Sequence, residues 1–233
     1  MIENKIKILR KKFINHKIDG YIVPKNDEFF SEYCEKNRLK FISNFSGSAG
    51  YAIILKKKNY LFVDGRYTIQ AEVESSKNFK IIDYQKIVNC SLFKNLTLGL
   101  DPKLFTSFQI KKFFLKNNKI RLIDKNLIDE ISKKKINLIK PFFSIETNII
   151  GENFKSKLSK IKKFLKKNKS DWIFISAPEN VAWVLNIRGY DNPNSPIPNC
   201  HLLMGNNSIY LISKRRKQIN LIKEKKIKQN QII

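Results

Sequence analysis

The sequence predicts a mixed α/β protein in which one arrangement of helices and strands is followed by a second, incomplete copy of the same arrangement. Three observations carry this reading. Helical and strand periodicities alternate along the chain. A hairpin pattern over residues 51–64 returns over 200–213. Each hairpin is preceded by a short apolar strand opening on Asp, "DGYIVP" at 19–24 and "DWIFIS" at 171–176, so the repeat period is near 150 residues.

Residues 1–17 form a helix with Ile2, Ile6, Leu9, Phe13 and Ile14 near one face. "DGYIVP" is a strand ended by Pro24, and "NDEFFSEYCEK" (26–36) is a helix capped by Asn26 or Asp27. The small-residue stretch "FSGSAG" leads into strands at 51–56 and 60–64. A helix over 65–75 follows, then strands at 79–84 and 97–101, a helix over 106–117 capped by Thr106, and a strand at 120–124. This first domain spans 1–138, and a Pro- and Gly-containing linker spans 139–151. The second domain, 152–233, repeats the start: a helix (152–168), a strand (171–176), a helix (177–187), a polar loop "RGYDNPNSPIPN" (188–199) and a hairpin. It then stops near the equivalent of residues 79–82, which predicts a truncated second domain with unpaired strand edges.

The net charge of +26 raises nucleic-acid binding, but nearly all the basic residues are Lys and they are spread through helices, turns and strands alike. A nucleic-acid binder concentrates charge on one face and favours Arg forks, so the charge reads as composition rather than as a nucleic-acid site. The run "KIKKFLKKNK" (160–169) reads as the solvated face of a helix whose apolar stripe is Ile161, Phe164 and Leu165. No apolar run spans a membrane, and the N-terminus lacks the continuous apolar core of a signal peptide. Cys34, Cys90 and Cys200 are scattered, giving neither a disulfide framework nor a zinc motif, and they fit a cytoplasmic setting.

The glycines of "GSAG" invite a phosphate-loop reading, which the context excludes. A Walker loop needs Lys-Ser or Lys-Thr after its last glycine, and both it and a dinucleotide fingerprint need a following helix. Here a strand follows. Gly47, Ser48 and Gly50 therefore read as a close-packed entry into the hairpin, where only small residues fit. In "VDGRY" (63–67) Asp64 reads as a helix cap and Arg66 as its buried ionic partner; in "NIRGYD" (186–191) Arg188 and Asp191 flank a turn as a surface pair, and Arg188 is also placed to meet a substrate. The two histidines, His16 and His201, stand apart, and Ser46 and Ser48 have no evident base. No catalytic residue and no metal ligand emerges.

"NFSGSAGYAII…YLFVDGRYTIQA" (44–71) resembles the first domain of Xaa-Pro aminopeptidases, whose pattern is F-x-G-S-A-G followed by W-T-D-G-R-Y-x-x-Q-A. Phe62-Val63 replaces the usual Trp-Thr, and Tyr51 the usual Thr. "APENVAWVLNIRGYDNPNSPIP" (177–198) resembles the second-domain signature of the three-domain members. The resemblance implies a duplicated creatinase-type N-terminal fold, a mixed β-sheet flanked by helices, whose second copy is incomplete here. It also implies a parent hydrolase that removes the residue preceding proline, through a C-terminal pita-bread domain. In that domain two divalent ions, commonly manganese, sit on two Asp, one His and two Glu. None of those motifs lies within 1–233, so this chain alone is expected to be inactive, meeting peptide substrate only together with the missing domain. The family's N-terminal domains imply a homodimer or a catalytic-domain partner. Asp64, Arg66 and Arg188 are then structural or substrate-proximal, with the small-residue loop Gly47, Ser48 and Gly50 beside them.

Overall fold

The computed structural model describes residues 1–31, 34, 36–88, 90–132, 140–146, 148–192 and 194–224. The chain divides into two compact units, one made of Met1–Glu32 with Lys36–Lys135, the other of Tyr33–Glu35 with Ile136–Ile233.

In the first unit, α1 (Ile2–His16) buries Ile6, Leu9 and Phe13, whereas Ile14 points to solvent. Strand β1 (Gly20–Pro24) pairs antiparallel with β2 (Gly50–Leu55), and β2 pairs antiparallel with β3 (Asn59–Val63), the hairpin expected from the two β-rich runs. Strands β4 (Lys80–Asp83), β5 (Thr97–Leu100) and β6 (Lys119–Leu122) complete a six-stranded sheet in the order β4-β3-β2-β1-β5-β6. Only β2 runs against its neighbours. Alternate residues serve opposite faces. Tyr21, Val23, Ala52, Ile54, Leu61 and Val63 face one core, with α1, α2 (Arg38–Ser43), α3 (Thr68–Ser75) and α5 (Leu127–Ser132). Ile22, Tyr51, Ile53, Tyr60 and Phe62 face the other, covered by Ile87, Phe93, Leu104, Phe105 and Phe114. Helix α4 (Ser107–Ile110) carries the expected Thr106 cap in a capping box with Gln109, then widens to a π-turn over Lys111–Leu115.

Two local expectations fail here. The helix expected at 26–36 does not form over the described residues of that stretch. Instead the Asp27 carboxylate accepts from the amides of Phe29 and Ser31, both at 2.9 Å, and Phe30 takes a left-handed φ of 58°. This local side-chain capture of backbone donors competes with helix formation. The helix starts later, at Arg38, where Asn37 caps it by accepting from the Lys40 amide. The sequence reading also has no helix at Leu127–Ser132. Asn126 starts it, its side-chain oxygen accepting from the amides of Ile128 and Asp129.

In the second unit, β7 (Phe143–Ser144), α6 (Phe154–Lys167), β8 (Trp172–Ile175), α7 (Pro178–Leu185), β9 (Ile187–Arg188), β10 (His201–Gly205), β11 (Ile209–Ile212) and α8 (Ile219–Lys223) follow in order. The stretch read as a linker belongs to this core: Phe142 is fully buried and β7 pairs with β9. Along α6, Leu158 and Leu165 are buried, but Phe164 is 56% exposed, so it is not part of the buried stripe.

Strands β11-β10-β8 repeat β3-β2-β1 in register. The row Phe174, Leu203, Tyr210 pairs across the strands as Ile22, Ile53, Tyr60 does in the first unit. No described helix is long and apolar enough to cross a membrane.

Candidate functional site

The small-residue loop and the helix after the hairpin meet at the carboxyl edge of the first sheet. Gly47 and Gly50 both have ordinary negative φ, so backbone freedom is not their reason. Space is: a Cβ on Gly47 would lie 2.3 Å from the Phe45 ring, and one on Gly50 would lie 2.7 Å from the Phe62 carbonyl oxygen. The loop is then tied to α3. The Ser46 amide and hydroxyl donate to the two Glu74 carboxylate oxygens, at 2.7 and 2.6 Å, and Gln70 Nε2 donates to the Ser46 hydroxyl. Ser48 Oγ and Tyr67 OH lie 2.7 Å apart. The two conspicuous motifs of this unit are thus halves of one structural joint. Burial opposes ionisation of Glu74, but its bonds from Ser46 and Gln70 more than offset this and hold its pKa below the usual value. A carboxylate so stabilised holds the loop and is a poor base for activating Ser46.

Asp64 sits where the sequence places it, at the end of β3. Its Oδ1 accepts from the Arg66 amide at 3.1 Å and from Arg66 Nε at 2.8 Å, and these bonds lower its pKa. The cap is present, but the ion pair expected to be buried is exposed, because the short 3₁₀ turn at Gly65–Tyr67 leaves both side chains on the rim. Next to it a cleft of about 210 Å³ opens between Lys25, Asn26, Phe30, Ser48, Asp64 and Tyr84. The Tyr51 and Tyr84 rings stack beneath it with centroids 5.6 Å apart. Ends of strands running toward the same edge gather loop side chains into such clefts. This one offers a cation, a carboxylate and hydroxyls. Ser48, the nucleophile type in it, bonds to a tyrosine hydroxyl rather than to a base.

Arg188 belongs to the second unit. Its Nη1 donates to the Ile187 carbonyl at 2.9 Å. It does not pair with Asp191 as expected. Asp191 Oδ1 instead bonds Lys217, and its Oδ2 accepts from the Asn199 amide at 2.7 Å, so the carboxylate clamps the Pro-rich loop to the chain after β11. Beside it Cys200 is fully buried, and burial, with the nearby Asp191 charge, pushes its thiol pKa well up. A protonated thiol is inert. Cys200 is therefore expected to resist iodoacetamide at pH 7.5 until the unit unfolds; alkylation in the native protein at the rate of a small-molecule thiol would show this packing to be wrong.

Sequence reasoning missed Lys157. It reads as one more solvated lysine, yet it is 5% exposed. Its ammonium donates to the Trp183 carbonyl at 2.7 Å and to Asn186 Oδ1 at 2.6 Å, and lies 4.1 Å from the Trp183 ring centroid. The available signal is its place on the same helical stripe as Leu158 and Leu165. In the second unit His201 Nδ1 lies 2.8 Å from the Ser176 carbonyl oxygen. Among the described residues no three His, Cys, Asp or Glu gather as a metal would require.

A family model described as Creatinase/Prolidase N-terminal domain matches residues 5–128, and a second model of the same description matches 133–232. The chain belongs to the creatinase/prolidase N-terminal domain family. Its creatinase-type units are similar to "Xaa-Pro aminopeptidase 1" of Dictyostelium discoideum, 33% identical over 84% of this chain and 35% of that protein. They are also similar to "Probable Xaa-Pro aminopeptidase P" of Coprinopsis cinerea, 31% identical over 81% of this chain and 33% of that protein. The chain therefore spans about a third of the length of these relatives. In fold, all of it is similar to part of a crystal structure of X-prolyl aminopeptidase from Caenorhabditis elegans. The TM-score is 0.85 at 24% identity, and the match covers 42% of that chain. That protein is described as a cytosolic enzyme with a dinuclear active site. The described residues of this chain offer no ligand set that fits such a metal pair.

Proposed function

We propose that this chain is the N-terminal, non-catalytic part of an Xaa-Pro aminopeptidase-like metallopeptidase. The parent activity is release of the N-terminal residue preceding proline. The carrying observation is that two creatinase-type units, 31–33% identical to aminopeptidase P relatives, account for the matched chain and for only a third of those relatives. The two metal ions of the parent reaction, manganese in this reading, then belong to a pita-bread domain outside residues 1–233. The role left to this chain is dimerisation and control of access to that domain, in the cytoplasm. Asp64 and the cleft beside it are the substrate-proximal candidates in the first unit, and Arg188 in the second.

The purified chain is expected to release no N-terminal residue from Xaa-Pro peptides, with or without added manganese. Metal-dependent release that scales with protein concentration and survives further purification would overturn this reading. Nucleic-acid binding, which rests on charge alone, has its own signature: affinity for a phosphate polymer falling steeply with salt.

A further inference from the structure

The two units share a joint between a helix, the start of a strand and a hairpin turn, and they finish it differently. Gly20 of β1 pairs with Leu55, and Trp172 of β8 pairs with Gly205. Asp171 therefore stands where Asp19 does, and Asn206 where Lys56 does. The helices align by the same step. Each is followed by a left-handed lysine, Lys17 at φ 47° and Lys169 at φ 51°. The next amide then closes the helix, Ile18 donating to the Phe13 carbonyl and Ser170 to that of Leu165. Lys162 on α6 thus matches Arg10 on α1.

In the first unit this joint is sealed. Arg10 Nε donates to the Leu55 carbonyl and its Nη2 to Asn59 Oδ1, both at 2.9 Å, which ties the helix to the hairpin turn. The Asp19 carboxylate accepts from Lys56 at 2.6 Å and from the Thr97 amide at 2.9 Å. Among the described residues of the second unit, Lys162, Asp171 and Asn206 make none of these bonds. A cleft of about 640 Å³ opens there instead. Lys162, Lys163, Lys166 and Lys169 line it with the hydroxyls of Ser159 and Ser170, and Asp171 and Asn206 complete its wall. Among the described residues none of these four lysines forms an ion pair, although Lys160 on the same helix pairs with Glu152 at 2.8 Å.

We propose that this cleft binds a compact anion bearing several phosphate groups. Four ammonium groups against one carboxylate favour a ligand with more than one negative charge. The arrangement is also costly when empty. Lys162 and Lys166 are four residues apart on one helix and Lys163 and Lys166 three apart, spacings at which like charges repel. An anion between them removes that cost. The volume falls within the range of small-molecule sites, about 300–1,000 Å³. Yet no apolar or aromatic side chain lines the cleft. A nucleic-acid base would find neither a ring to stack on nor an Arg fork for its edge. Lysines act as point charges and suit phosphate groups of any orientation, on a linear chain or around a ring. All four lysines are exposed, so salt must weaken the attraction. This inference does not depend on the peptidase reading.

The test titrates inorganic tripolyphosphate into the full 233-residue chain at about 0.01 M and about 0.15 M salt, read by calorimetry and amide chemical shifts. The expected result is a single site per chain, weaker at the higher salt, with the shifts centred on residues 159–171 and Asn206. Lys162→Ala with Lys166→Ala should weaken binding about tenfold, and alanine at exposed helical positions keeps the fold. Lys7→Ala with Lys11→Ala removes the same charge from α1 and should weaken it less than about twofold. Asp171→Asn should tighten binding about threefold, a gain that misfolding cannot imitate. ATP and inositol hexakisphosphate separate a linear from a ring ligand, and tighter binding of either at the same amides supports the site. Equal losses from the two lysine pairs would overturn the inference, because binding would then follow net charge alone. So would no binding at the lower salt, or a single-stranded RNA that displaces tripolyphosphate from these amides at equal phosphate concentration.

Discussion

Replacing Asp129 by alanine is expected to destabilise the first unit by roughly 3 kcal/mol, because it strands a buried guanidinium. Arg38 is 2% exposed, and Asp129 accepts from its Nε and Nη2, both at 2.8 Å, while Glu28 accepts from Nη2 at 2.6 Å. Among the described residues its Nη1 has no hydrogen-bond partner, and a guanidinium this buried has little access to solvent. The reverse change, Arg38→Met, is expected to cost less. The side chains of Glu28 and Asp129 keep 38% and 35% of their surface in solvent and stay hydrated without Arg38. Urea unfolding of both variants checks the ordering, and an Arg38→Met loss equal to or larger than that of Asp129→Ala would refute the account.

The same cluster sets a pH dependence. Burial pushes the pKa values of Glu28 and Asp129 up, but hydrogen bonds from Arg38 more than offset it, and both are lowered. Carboxylates depressed in the folded state stabilise it fully above the unfolded value, about pH 4. That stabilisation is lost as pH falls through the folded values. Asp27, facing the same side, has the opposite sign: burial raises its pKa despite the amides of Phe29 and Ser31. The wild-type chain should therefore lose stability below pH 4 more steeply than Asp129→Ala, and parallel acid limbs would refute the assignment.

Breaking the Asp191–Lys217 pair is expected to cost about 3–5 kcal/mol in the second unit, whichever partner is removed. The contrast with Arg38 is symmetry: both side chains are close to a tenth exposed, so neither survivor can rehydrate without opening the loop. Asp191→Asn and Lys217→Met should each loosen the Asp191–Asn199 closure of the Pro-rich loop. The double variant should be less destabilised than the sum of the two, with a coupling of about 1–3 kcal/mol. Strict additivity in a double-mutant cycle would show that the pair is a bystander. Amide exchange would localise the effect, accelerating after residue 140 and leaving β1–β6 unchanged.

Much of the fold was legible because it is written in local periods. The β-rich runs at 51–56 and 60–64, separated by a short Lys-rich turn, predict the hairpin, and their recurrence at 200–213 predicts the duplication. The "GSAG" loop was excluded as a phosphate site because a strand, not a helix, follows it. The failures lie where one polar side chain outweighs a pattern. Asp27 takes the amides that a helix over 26–36 would need, and Asn126 starts a helix that its weak stripe does not announce.

The sequence by itself determined the two hairpins, the repeat, the family and the Asp64 cap. Only the tertiary structure decided which polar groups are structural. Ser46 with Glu74, Lys157 with Asn186, Arg38 with Asp129 and Asp191 with Lys217 lie 28, 29, 91 and 26 positions apart. Partners so separated leave no local period, and their ionisation and hydration follow from burial, which exists only once the chain is packed.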